Sequence, residues 1–139
     1  MSIFQKWLYP SVKKINFEDV KHAVENPTQF VIINTLSIDE QKCLIQNTLP
    51  IEKEEVTMNS MLDNIYTDKR KIIVYGKNGC DESSEKKYKQ LIQLGFSDIY
   101  IYVGGLFEWL LLQDIYGKDA FPTTTHTLKL LDYKPDKIF

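Results

Sequence analysis

The chain has 139 residues, of which 43% are hydrophobic and 12% aromatic, so it can bury one domain-sized core and is too apolar to be disordered. Its formal charge of −2 argues against a general attraction to nucleic acid or anionic membranes. We expect a single domain over residues 1–139, with a core at about 12–116 and a tail at 117–139 that packs on it.

Targeting and metal-binding signals are weak in this sequence. The most apolar stretch, 106–112, is short and contains Glu108, so we expect an intracellular, cytoplasmic protein with no membrane association. Cys43 and Cys80 lie far apart and are expected to be free thiols. No Cys/His cluster has zinc spacing, so we expect no metal and no cofactor. A single arginine, Arg70, among many lysines, together with many Ile, Asn and Tyr residues, is typical of an AT-rich genome, as in some protists, low-GC bacteria and large DNA viruses.

Helical and extended patterns alternate along the first half of the chain. Apolar β-branched runs predict buried strands, and apolar residues at helical spacing predict amphipathic helices. The predicted elements are a helix capped by Asn16 and Asp19 and ended by Asn26-Pro27, a buried strand at 30–33, a short edge strand at 48–51, and a helix on which Met58, Met61, Leu62 and Ile65 share a face.

The second half continues the alternation. It predicts a strand at 72–75, a loop at 76–82, a helix that ends at Gly95, a strand at 99–103 and a helix at 106–116. This order is typical of an α/β fold, a parallel sheet with helices on both faces. Ligands bind such sheets at the carboxyl ends of the strands, so the loop at 76–82 is the candidate site.

Several motifs occur in the order found in the rhodanese family. They are Val31-Ile32-Ile33-Asn34, the segment from Leu44-Ile45 to Pro50, Val74-Tyr75-Gly76-Lys77-Asn78-Gly79, Leu94-Gly95-Phe96, and Val103-Gly104-Gly105 followed by Trp109. Over about residues 12–116 the sequence therefore resembles a rhodanese-like domain. The resemblance implies a five-stranded parallel sheet flanked by helices on both faces, and an activity of the sulfurtransferase type.

The loop departs from the family pattern at the positions that carry the chemistry. Rhodaneses place a nucleophilic cysteine directly after this strand and a glycine three residues later; here those positions hold Gly76 and Gly79. Asp81 and Glu82 stand where many members have arginine and serine. The family's acidic residue at the end of the second strand and its nearby arginine are replaced by Asn34 and Leu36, and Arg70 precedes a strand, at its wrong end to reach the loop.

These departures favour a catalytically degenerate domain that serves as a binding or regulatory module for an unidentified protein partner. The active-site loop would then comprise Gly76, Lys77, Asn78, Gly79, Cys80, Asp81 and Glu82. The alternative is an active sulfurtransferase with a persulfide on Cys80, which lies just before a helix whose dipole favours a thiolate. The carboxylates of Asp81 and Glu82 oppose that charge, although they also suit a helix amino terminus. Whether the protein is an enzyme stays open at this point.

The helix at 106–116 is too apolar for a single buried face. One interpretation is a homodimer or scaffold that assembles through a patch comprising Phe107, Trp109, Leu110 and Ile115. The other is that the tail covers the second face through Phe121, Leu128, Leu130, Leu131 and Tyr133. A phosphatase is disfavoured, because its loop needs a cysteine at the start and an arginine at the end.

Overall fold

The computed structural model describes residues 12–139. The strands are β1 (Lys14–Ile15), β2 (Phe30–Asn34), β3 (Lys71–Tyr75) and β4 (Ile99–Tyr102). The helices are α1 (Phe17–Glu25), α2 (Ile51–Asp63), α3 (Ser83–Leu94) and α4 (Gly105–Tyr116), with 3-10 turns at Ile38–Glu40 and Leu130–Tyr133. Within this part of the chain, no helix combines the length and the apolar character that crossing a bilayer requires.

The four strands form one parallel sheet in the order β1-β4-β3-β2. A fifth position exists only as an isolated parallel bridge between Ile32 and Thr48. The predicted edge strand at 48–51 is therefore wrong, because Pro50 precedes the first residue of α2 and Ile51 is already helical. Proline has no N–H to continue a ladder, and the following Glu-Lys-Glu-Glu run favours helix.

The helices cover both faces of the sheet and bury a core on each side. On one face, α1 and α4 contribute Val20, Ala23, Leu106, Trp109 and Leu110. On the other face, α2 and α3 contribute Met58, Met61, Tyr88 and Leu91. Strands β2 and β3 are buried from both sides, which explains their continuous apolar sequences. The predicted α/β class with helices on both faces is confirmed.

The predicted caps of two helices are present. Asn16 Oδ1 accepts hydrogen bonds from the Glu18 and Asp19 amides at 2.9 and 3.2 Å, and Asp19 Oδ2 accepts one from the Asn16 amide at 3.2 Å. This reciprocal capping box begins α1. Gly95 ends α3 with a left-handed φ of 114°.

The segment after α4 packs back onto that helix. Phe121 is 3% exposed, and its ring centroid lies 5.0 Å from that of Trp109. Residues 121–125 run antiparallel to 42–46, with the Thr124 amide donating to the Leu44 carbonyl at 2.8 Å. Leu130 and Tyr133 pack against the same core, whereas Leu128 and Leu131 are exposed. Phe121 is therefore the main cover of the second face of α4.

Candidate functional site

The loop at 76–82 lies at the carboxyl ends of β2 and β3 and against the start of α4. The amides of Leu106 and Phe107 donate to the carbonyls of Gly76 and Lys77, both at 2.9 Å. Gly105 makes this approach feasible: its φ is +68°, and a Cβ there would lie 2.8 Å from the Gly76 carbonyl oxygen. The beginning of α4 is thus fastened directly to the loop backbone.

The carboxylate of Asp81 fills the space that a side chain at Gly76 would need. A Cβ at Gly76 would lie 2.7 Å from Asp81 Oδ2 and 3.2 Å from Thr35 Oγ1. Asp81 Oδ2 accepts a hydrogen bond from the Lys77 amide at 3.0 Å, and Oδ1 accepts one from the Ser83 amide at 2.9 Å. The amide-lined cradle, which we define as the Lys77 and Ser83 amides around Gly76, already holds an anion from the chain itself.

The cradle keeps Asp81 ionised. Partial burial raises the pKa of this carboxyl, but hydrogen bonds from Lys77 and Ser83 lower it by more, so the pKa lies below its usual range. Ser83 is held in turn by Thr35, whose Oγ1 is 2.6 Å from Ser83 Oγ. The ionised Asp81 carboxylate therefore occupies the cradle, and the contact between Thr35 and Ser83 helps to hold it there.

Cys80 lies outside the cradle. It is an exposed free thiol, and its amide donates to Asn78 Oδ1 at 3.0 Å. With Lys77, Asn78 and Asp81 it lines one wall of an open groove of about 760 Å³, and residues 131–138 line the other. The structure therefore brings Cys80 into the candidate loop but leaves the cradle to Asp81.

Lys77, the lysine of the loop, forms an ion pair with Glu40, which lies outside the loop. Lys77 Nζ lies 2.8 Å from Glu40 Oε2. The hydrogen bond to Glu40 raises the pKa of Lys77, and the same contact lowers the pKa of Glu40. Arg70 precedes β3, at the opposite end of that strand from Gly76, and pairs with Asp68 at 2.8 Å. Across residues 12–139, no group of three or more His, Cys, Asp or Glu side chains is arranged to hold a metal ion.

Comparison with known families identifies this architecture. The model of the rhodanese-like domain matches residues 15–112, which is more than half of the chain. The chain belongs to the rhodanese-like family. No curated protein matches it significantly.

Solved structures agree with this rhodanese-like fold. The yeast protein Ygr203w, a protein tyrosine phosphatase of the rhodanese family, superposes with a TM-score of 0.61 at 13% identity, over 86% of this chain and 96% of that one. An As–Sb reductase from Leishmania major gives 0.61 at 12% identity, over 80% and 85%. The Alr3790 protein from Anabaena sp. gives 0.55 at 22% identity, over 85% and 97%. At these identities the likeness concerns the fold alone.

Two of the four residues predicted for an apolar patch are in the core of this rhodanese-like domain. Trp109 is 0% and Leu110 2% exposed, because both belong to the core cluster, in which Trp109 packs against Phe121. Phe107 is half-buried, and Ile115 is 70% exposed. An assembly surface on α4 would therefore be limited to its outer face, around Ile115.

Sequence reasoning missed the residues that complete the rhodanese-like loop. Thr35 and Ser83 support Asp81, Glu40 binds Lys77, and the carbonyl of Tyr133 accepts a hydrogen bond from Asn78. Thr35 carried a usable signal: it directly follows β2, whose carboxyl end lies beside that of β3. Asn34, by contrast, caps its own turn by accepting from the Leu36 amide at 3.1 Å.

Proposed function

We propose that this rhodanese-like chain is a non-catalytic module that binds or regulates another protein rather than transferring sulfur. The observation that carries the proposal is the Asp81 carboxylate in the cradle beside Gly76. The family pattern places a nucleophilic thiolate at that point of the loop. In this chain the Asp81 side chain fills the space beside Gly76 and accepts the hydrogen bonds of the Lys77 and Ser83 amides.

Sulfur transfer makes two demands that this loop meets poorly. A thiolate must attack the sulfane sulfur of a donor, and nearby N–H groups must stabilise the resulting persulfide anion. Here the amides of Lys77 and Ser83 are engaged with Asp81, and Lys77 Nζ is engaged with Glu40. An anionic donor would approach the carboxylates of Asp81 and Glu82, which repel it.

The competing hypothesis is a sulfurtransferase that uses Cys80. Its support is the accessibility of the thiol and its position three residues before α3. Against it stand the acidic neighbours Asp81 and Glu82, together with the cradle amides that Asp81 already occupies. A persulfide on Cys80 would therefore lack the stabilising donors that the family pattern supplies.

The deciding experiment follows sulfur from thiosulfate. In a competent enzyme the S–S bond of thiosulfate breaks, its sulfane sulfur joins the thiolate and sulfite leaves; cyanide then removes that sulfur as thiocyanate and regenerates the thiolate. We expect the full chain to show no persulfide by intact-mass spectrometry and no thiocyanate above the rate without protein. A persulfide on Cys80, with thiocyanate release that disappears in Cys80→Ser, would contradict the proposal.

A designed variant shows whether the assay can detect activity on this scaffold. Gly76→Cys combined with Asp81→Ser restores a thiol at the start of the loop and frees the amides of Lys77 and Ser83. We expect this double variant to acquire sulfur where the natural chain does not. Gly76→Cys alone is the matched control, because its thiol must compete with the Asp81 carboxylate for the same space.

A further inference from the structure

The C-terminal region changes its attachment abruptly at Thr125. Up to that residue it is tied to the domain by many hydrogen bonds. Trp109 Nε1 donates to the Pro122 carbonyl at 3.0 Å, and Gln113 Nε2 donates to the Phe121 carbonyl at 2.7 Å. The hydroxyls of Thr124 and Thr125 donate to the Lys42 carbonyl at 3.2 and 2.9 Å. Residues 121–125 are therefore an integral part of the fold.

Residues 126–139 make far fewer hydrogen bonds to the domain, and none of their side chains is fully buried, although Leu130 and Tyr133 pack against the core. Within the described range 12–139, a single hydrogen bond joins them to the rest of the protein: Asn78 Nδ2 donates to the Tyr133 carbonyl at 3.0 Å. The ring of Tyr133 also lies 5.9 Å from Lys77 Nζ. Both contacts are made to residues of the loop at 76–82.

This segment also forms a wall of the groove in front of the loop. Leu131, Asp132, Lys134, Pro135, Asp136 and Ile138 face Lys77, Asn78, Cys80 and Asp81 across it. The family model matches residues 15–112, so this wall lies outside the matched part of the chain. A structure that has few hydrogen bonds to its surroundings opens locally at low free-energy cost.

We propose that residues 126–139 are an intramolecular cap whose closure is coupled to the conformation of the loop at 76–82. Asn78 is the coupling residue: its Oδ1 accepts from the Cys80 amide within the loop, while its Nδ2 holds the cap at Tyr133. A partner that binds the loop face displaces the cap, and release of the cap loosens the loop. The coupling holds whether or not the loop carries sulfur.

The test is hydrogen–deuterium exchange of the full chain, read by mass spectrometry in two regions. Asn78→Asp keeps an oxygen for the Cys80 amide but removes the donor to Tyr133, and we expect exchange in 126–139 to become about 2- to 10-fold faster. Tyr133→Ala leaves the loop sequence intact and removes the ring that packs on the core and on Lys77. We expect it to speed exchange in 76–82 by a similar factor, because coupling is reciprocal.

Leu128→Ala is the matched control. Because Leu128 is 88% exposed, its replacement should leave exchange in both regions unchanged. Exchange in β3 reports whether each variant keeps its fold. If Tyr133→Ala does not fold, the result for Asn78→Asp decides the question by itself. The proposal is overturned if Asn78→Asp leaves exchange in 126–139 unchanged. It is equally overturned if folded Tyr133→Ala loosens only the cap and not the loop. Neither readout involves persulfide chemistry, so the outcome is independent of the sulfur assay.

Discussion

Gly76 and Asp81 form one structural unit, although four residues separate them in the sequence. The missing side chain at Gly76 leaves room for the Asp81 carboxylate, and the carboxylate takes the amides that line this room. The absence of a side chain at Gly76 and the occupation of the cradle amides are thus two aspects of the same contact. Restoring one residue without changing the other should therefore be unfavourable.

We predict that Gly76→Ala lowers the free energy of unfolding by about 1–3 kcal/mol, because its methyl group overpacks against Asp81 and Thr35. Gly79→Ala is the matched control in the same loop: its nearest contact would be the Val103 carbonyl oxygen at 3.6 Å, so we expect a change within about 0.5 kcal/mol. Urea unfolding of both variants measures the difference. In an Asp81→Ala background the cost of Gly76→Ala should largely disappear, and an undiminished cost would show that Asp81 is not the obstacle.

At the scale of elements, most helices and strands could be predicted because their signals are local. Asn16 and Asp19 identify the start of α1, and Gly95 identifies the end of α3. The segment at 48–51 could not be assigned in this way, since Thr48 pairs with Ile32 in a single bridge while Ile51 already belongs to α2. A short apolar run next to proline fits either state, and tertiary contacts decide between them.

The place of the loop at 76–82 in the fold was predictable, but the contacts within it were not. Topology alone places the loop after β3 at the carboxyl edge of the sheet. The role of Asp81 depends on how the backbone turns between Gly76 and Ser83, and residue spacing does not specify that turn. A charge near a helix start is ordinarily read as a favourable interaction with the helix dipole. In the structure the Asp81 carboxylate does accept a hydrogen bond from the Ser83 amide at the start of α3, but its other oxygen also fills the space beside Gly76.

The junction between the loop and α4 makes an element-scale prediction. Gly105→Ala should lower the free energy of unfolding by about 2–4 kcal/mol, since it combines a positive φ with a methyl group 2.8 Å from the Gly76 carbonyl oxygen. Gly95→Ala also has a positive φ, in the left-handed region, but nothing within 4 Å, so it should cost only about 1–2 kcal/mol. Chemical denaturation separates the two, and equal costs would mean that α4 does not depend on its close approach to the loop.

At the scale of the whole molecule, the fold extends beyond the part that matches the family model. The match ends at residue 112, yet Phe121 completes the core around Trp109 and Phe17. The crowded apolar face of α4 was therefore a signal of intramolecular cover. Its residues gave no indication of which later side chain would supply the cover, because that pairing depends on the path of the chain after Gly117.

This arrangement predicts unequal effects for two phenylalanines in the same C-terminal region. Phe121→Ala should lower the free energy of unfolding by about 3–5 kcal/mol, because it leaves a cavity beside Trp109 and exposes apolar surface of α4. Phe139→Ala removes the same chemical group from a fully exposed position and should change it by less than about 0.5 kcal/mol. Urea unfolding followed by tryptophan fluorescence measures both, and Trp109 itself reports on the cavity. A small effect of Phe121→Ala would mean that residues beyond 112 only lie on a core that is already complete.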